Sequence, residues 1–144
     1  MIEMGLSPSK ETESKLRWSI FVEKDAAEFK LYIPKWRVPK PWPGRIYVGI
    51  QSFTGDLSTV SQSLTDLVGF DNPIRELIVL EKDHTQTKRF APLGDSKDWH
   101  IGKPYIPFSL IPRPMDYLII DVQWDLESKG QFINVPTYRE DPKF

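Results

Sequence analysis

At 144 residues and 40% hydrophobic content, the chain has the size of one ordinary domain, able to bury roughly two-thirds of the surface its unfolded form exposes. A formal charge of -1 argues against a protein that is basic overall, and zero cysteines exclude disulfides, a thiolate nucleophile and every cysteine-containing zinc site. The cysteine-free composition suits a reducing compartment, "MIEMGLSPSKETESK" has no apolar core of signal-peptide length, and no apolar run approaches the ~20 residues of a membrane helix. The expectation is a soluble cytoplasmic protein without a membrane partner.

Residues 1–15 are polar and lack periodicity, which predicts a disordered N-terminal tail ahead of a single β-rich domain over 16–144. "RWSIFVE" then sets Trp18, Ile20 and Val22 against Ser19, Phe21 and Glu23, and "EFKLYI" sets Phe29, Leu31 and Ile33 against Lys30 and Tyr32. Both have the period of two that a half-buried strand requires, and the short "KDAA" between them predicts a hairpin. Prolines at 34, 39, 41 and 43 forbid a helix or central strand over Trp36 to Gly44, "WRVPKPWPG", and predict a stiff extended crossing. "RIYVGI" resumes the alternation with Ile46, Val48 and Ile50 on one face.

Leu57, Val60, Leu64, Leu67 and Val68 recur at helical spacing between Asp56 and Gly69, which predicts one helix near 57–68. "RELIVLEKD" reads as a strand covered on both faces, "TQTKRF" as its polar partner, and "DYLIIDVQWD" with "QFINVPTY" as a C-terminal hairpin. The 25 residues from Ala91 to Met115 hold five prolines and little periodicity, the mark of an ordered or functional loop. The fold class is therefore β-rich α+β or all-β: about seven short, mainly antiparallel strands in a twisted sheet or partly open barrel, with one helix. No internal repeat is evident.

The near-zero charge conceals a segregation. Lys30, Lys35, Arg37, Lys40 and Arg45 lie between Phe29 and Gly55 without an acid among them, so this segment carries +5 and the remainder -6. Charge concentrated on one patch steers association even when the total is near zero. Lys35, Trp36, Arg37, Lys40, Trp42 and Arg45 are thus candidate contacts for an acidic protein or single-stranded nucleic acid. Tyr32 and Tyr47, with Phe21, would extend them into a stacking platform if their strands are neighbours. The bland alternative is a crossing loop whose tryptophans plug the core, with the helix covering the sheet face.

A second class is a small hydrolase or metal-dependent enzyme on the 83–110 loop, with His84 and His100 as bases or ligands and Asp83, Asp95, Asp98 and Trp99 nearby. A third is a structural homo-oligomer without a ligand. Asp121 in mid-strand is expected to mark a solvated strand face or to accept a hydrogen bond from an arginine or tyrosine rather than bind a metal. No phosphate-binding glycine loop, HExxH, GxSxG or EF-hand spacing occurs, so no cofactor or metal site is expected.

Overall fold

Period-two alternation puts one set of apolar side chains on a single face of each strand, and curling the sheet around that face buries the whole set. In the computed structural model, which describes residues 1–57, 73–128 and 132, this gives eight antiparallel strands. They are β1 (Ile2–Glu11), β2 (Lys15–Val22), β3 (Ala27–Pro34), β4 (Ile46–Ser52), β5 (Ile74–Asp83), β6 (Thr87–Pro92), β7 (Tyr105–Pro107) and β8 (Tyr117–Trp124). They close in the order β1-β2-β3-β7-β6-β5-β8-β4. Leu16, Trp18, Phe29, Leu31, Ile33, Ile46, Val48, Ile50, Ile78, Phe90 and Ile120 fill the interior and are at most 1% exposed. An eight-stranded barrel is just wide enough for side chains to fill.

Three expectations change. The barrel is closed rather than partly open. Residues 2–11 are not a tail but β1, held between β2 and β4, because backbone pairing on both sides compensates for a weak apolar pattern. The long Ala91–Met115 segment contains a strand, β7, too short to carry a period. Apart from Leu57 and Phe132, the helix expected near 57–68 and the strand expected at "QFINVPTY" fall outside the described residues, among which no α-helix occurs.

The connections explain the strand order. Three strands wind as a meander, the proline-rich segment carries the chain across the barrel end, and β4 returns beside β1. This is a Greek key in the order 4-1-2-3. The chain then repeats itself: β5, β6 and β7 form a meander and β8 returns beside β5.

The repetition is residue by residue. Ladder partners Pro8↔Trp18, Lys10↔Arg17 and Glu11↔Leu16 recur as Leu80↔Phe90, Lys82↔Arg89 and Asp83↔Lys88, with the register shift at the same place in each. Ile2↔Ile50 and Leu6↔Ile46 recur as Ile74↔Val122 and Ile78↔Leu118. Thr12 N–H donates to the Lys15 carbonyl at 2.9 Å, and His84 N–H to the Thr87 carbonyl at 2.9 Å. Arg17 Nη1 lies 3.4 Å from the Tyr32 hydroxyl, and Arg89 Nη1 lies 3.4 Å from that of Tyr105.

The sequence carries one literal trace of this. "YIPKWRVPKPW" from Tyr32 matches "YIPFSLIPRPM" from Tyr105, and each YIP is followed by a 3-10 turn, Lys35–Arg37 and Phe108–Leu110. The halves join along β3–β7 and along the seven-pair β4–β8 ladder, whose central pair, Gly49↔Asp121, marks the pseudo-twofold axis.

That axis turns the barrel end for end. The 35–45 loop closes what we term the upper end and the 108–116 loop the lower end. Trp18 and Phe90 are counterparts, both completely buried. Trp18 additionally donates its indole N–H to the Pro43 carbonyl at 3.2 Å, tying the upper loop to the core. Trp18→Phe, which copies the lower half, is expected to cost about 1–2 kcal/mol and Trp18→Ala about 3–5 kcal/mol in urea unfolding, since only the latter opens a large cavity.

Candidate functional site

The upper loop is built by proline. Pro34 ends β3, the 3-10 turn Lys35–Arg37 follows, and Val38 N–H closes it on the Lys35 carbonyl at 3.2 Å. Val38, Pro39 and Pro43 are buried, and Trp42 packs on the core and edge-on to Phe132 at 6.0 Å. The segment is a lid whose apolar side chains seal the barrel end.

Sealing the end separates the cations. Arg37 is 3% exposed, so it belongs to the interior. Lys35 Nζ is held by the Glu11 carboxylate at 2.8 Å and the Glu13 carbonyl at 3.1 Å. Lys40 and Arg45 face solvent, with Lys40 Nζ 5.9 Å from the Trp42 ring centroid. Trp36, between the two clamped cations, stays 53% exposed and meets the His100 ring edge-on at 5.4 Å.

Beneath Trp36 lies a polar cluster that joins three segments. Arg37 Nε donates to His100 Nδ1 at 2.8 Å, and Nη2 donates to the Pro73 carbonyl at 3.1 Å. The Glu76 carboxylate, 5% exposed on the inward face of β5, accepts the His100 backbone N–H at 3.1 Å. Accepting this hydrogen bond makes Nδ1 the lone-pair nitrogen of the His100 ring, so the ring N–H is on Nε2. Burial raises the Glu76 carboxyl from 4.5 to about 7, against the opposing pull of the His100 N–H and the Arg37 charge. Burial also lowers the Arg37 pKa, partly offset by Glu76.

The repeat supplies an internal control for this cluster. Counterparts of Glu76 and Arg37 at the lower end are Met4, paired with Val48 as Glu76 is with Ile120, and Leu110, last in the turn after β7. Both pack against the core. The same architecture therefore closes one end with hydrocarbon and the other with an arginine and a carboxylate. A buried charge pair is usually no more stabilising than apolar groups of similar size, so the barrel does not require these charges.

Other candidate residues disperse. Tyr32 is only 8% exposed, lying against the Arg17 guanidinium at 5.8 Å. Phe21 and Tyr47 are exposed on β2 and β4, which flank β1 rather than each other, and the buried Tyr32 does not join them in one platform. His84 sits in the β5–β6 turn, its ring 5.1 Å from Tyr105 and its Nε2 buried without a hydrogen-bond partner among the described residues. It lies eight positions along β5 and its turn from Glu76, roughly 25 Å of extended chain, and Glu76 bonds His100, so the two histidines occupy opposite ends. Asp98 ends the 3-10 turn Ser96–Asp98. Asp121 accepts from Arg75 Nε at 3.0 Å, the structural role expected of it.

Sequence reasoning selects Arg37 and His100 but misses Glu76, which looks like one more polar residue in "RELIVL". Its signal is position: it shares the parity of Ile74 and Ile78, so it faces the core. Among the described residues, no three His, Asp or Glu side chains gather to hold a metal ion, and no helix is long and apolar enough to cross a membrane. No protein family, characterised protein or solved structure matches the chain.

Between about pH 4.5 and 7 folded Glu76 retains a proton that the unfolded chain has released. The Glu76 contribution to stability should therefore be greatest below that window, fall by roughly 3 kcal/mol across it and level off above. Urea unfolding against pH should show the fall in the wild type and lose it in Glu76→Gln. Glu76→Met alone, which leaves the His100 N–H without its acceptor but also removes a buried charge, should cost about 1–3 kcal/mol below pH 4.5 and little above pH 7. The double variant Arg37→Leu with Glu76→Met, which copies the lower end, should recover most of that loss.

Proposed function

We propose that this protein is a small binding module whose upper loop, residues 35–45, docks an acidic segment of a partner protein. Trp36 is the apolar anchor, and Lys40 and Arg45 are the charged flank. The observation that carries this reading is the state of Trp36: a large aromatic 53% exposed, on a turn whose two flanking residues are clamped, Lys35 to Glu11 and Arg37 to His100 and Pro73. An aromatic already held in place loses little further entropy on binding, and tryptophan is enriched among the residues that dominate interface energies.

Two features favour a protein over single-stranded nucleic acid. Of the four cations between Lys35 and Arg45, only Lys40 and Arg45 are exposed, few for tracking a phosphate backbone. The three-ring platform that would stack bases loses a member, because Tyr32 is buried. The Arg37–Glu76–His100 cluster then acts as the mount that holds the Trp36 turn against the barrel.

A fluorescein-labelled peptide of repeated Glu-Glu-Leu units, titrated at two salt concentrations, tests the reading, with a labelled single-stranded RNA as comparison. Trp36→Ala should weaken peptide binding about tenfold or more without moving the unfolding midpoint. Lys40→Glu and Arg45→Glu should weaken it and flatten its salt dependence. Peptide affinity unchanged in all three variants would overturn the reading, and tight salt-sensitive binding of RNA alone would transfer it to nucleic acid.

A further inference from the structure

We infer that the barrel carries a second docking surface of the same kind at its lower end, so that one chain can engage two acidic segments at once. This rests on the reading of the upper loop given above and extends it through the pseudo-twofold axis. The 108–116 loop is the counterpart of 35–45: Val38 corresponds to Ile111, Lys40 to Arg113 and Trp42 to Met115, each cation standing between two prolines. Lys40 and Arg113 are both exposed, so neither is needed for packing.

Independently of the repeat, the lower loop borders a hollow of about 300 Å³ lined by Lys88, Phe108, Ile111, Arg113 and Met115. Its lining combines two cations with three apolar side chains and contains no carboxylate. Phe108 is 42% exposed and lies under the Lys88 ammonium, Nζ 5.3 Å from its ring centroid. Lys88 is also paired with Asp83, outside the hollow. The adjoining carboxylate of Asp25 is engaged by the Ser109 backbone N–H at 3.0 Å and by the Ser109 hydroxyl, which anchors the start of the loop.

An apolar hollow rimmed by cations fits a segment that places a carboxylate beside a hydrocarbon side chain, the chemistry assigned to the upper loop. The two surfaces differ in the aromatic presented, tryptophan above and phenylalanine below, so the lower is expected to be the weaker. Because the ends face opposite directions, a partner with a flexible acidic stretch repeated along its chain would be bound with the gain of linked sites, or two partner chains would be bridged.

Calorimetry of the full chain with the same Glu-Glu-Leu peptide tests this. The wild type should bind two peptides. Phe108→Ala with Arg113→Glu should leave only the tighter site, and Trp36→Ala with Lys40→Glu only the weaker one. A single wild-type site that is abolished by the Trp36 and Lys40 changes and untouched by the Phe108 and Arg113 changes would overturn the inference while leaving the upper-loop reading intact. No binding by the wild type would overturn both. Amide shifts of uniformly labelled wild-type protein provide a readout independent of any variant's folding. Perturbation at Phe108 to Met115 as well as Trp36 to Arg45 is expected, and perturbation confined to the upper loop counts against a second surface.

Discussion

Everything in this barrel depends on what proline forbids. After three strands have been laid side by side, Pro34 and the prolines that follow deny the chain the backbone donors needed for a fourth neighbour on the β3 edge. The segment must cross the barrel end instead, and the next strand pairs with the far side of β1. Pro107, Pro112 and Pro114 impose the same detour after β7. Two Greek keys result, each with an unpaired edge at β3 or β7 and another at β4 or β8. Joining like edges satisfies all of them and closes the barrel.

The detour also decides which loop side chains reach solvent. A chain crossing a barrel end has to seal it, so the lid turns Val38, Trp42 and Pro43 inward and leaves intervening residues, Trp36 and Lys40 among them, facing out. Proline stiffness and core anchoring hold the outward residues in place. The lid is thus a plug with an exposed outer side: Trp42 and Pro43 close the core, whereas Trp36 faces solvent.

The two ends share a backbone plan but not a chemistry. Where the lower end uses Met4 and Leu110, the upper end places Glu76 and Arg37 and adds His100 from the loop before β7. The charges are tolerated because each finds a partner: the Glu76 carboxylate an amide N–H, the arginine an imidazole nitrogen and a carbonyl. They rigidify the Trp36 turn in a way hydrocarbon contacts do not, since hydrogen bonds have direction and apolar packing does not.

Much of the architecture is legible in the amino-acid sequence. Alternation places β2, β3, β4 and β8 and assigns Trp18, Phe29, Leu31, Ile46, Val48 and Ile50 to one side, because a period of two is a local property of an amphipathic strand. The prolines determine that residues 36–44 cross rather than pair. Strand order is not legible, since ladder hydrogen bonds join backbones and leave little mark on side-chain composition. Nor is β1, whose pairing on both edges compensates for a sequence that looks like a tail. The repeat is present as "YIPKWRVPKPW" and "YIPFSLIPRPM", yet the rest of the two halves has diverged so far that only matched ladder registers reveal it. Charge segregation points to the loop, but only tertiary structure divides its cations into the buried Arg37, the paired Lys35 and the exposed Lys40 and Arg45. Exposure depends on what packs above a residue, and the groups that cover Arg37 come from positions 73, 76 and 100, far along the chain from the loop itself.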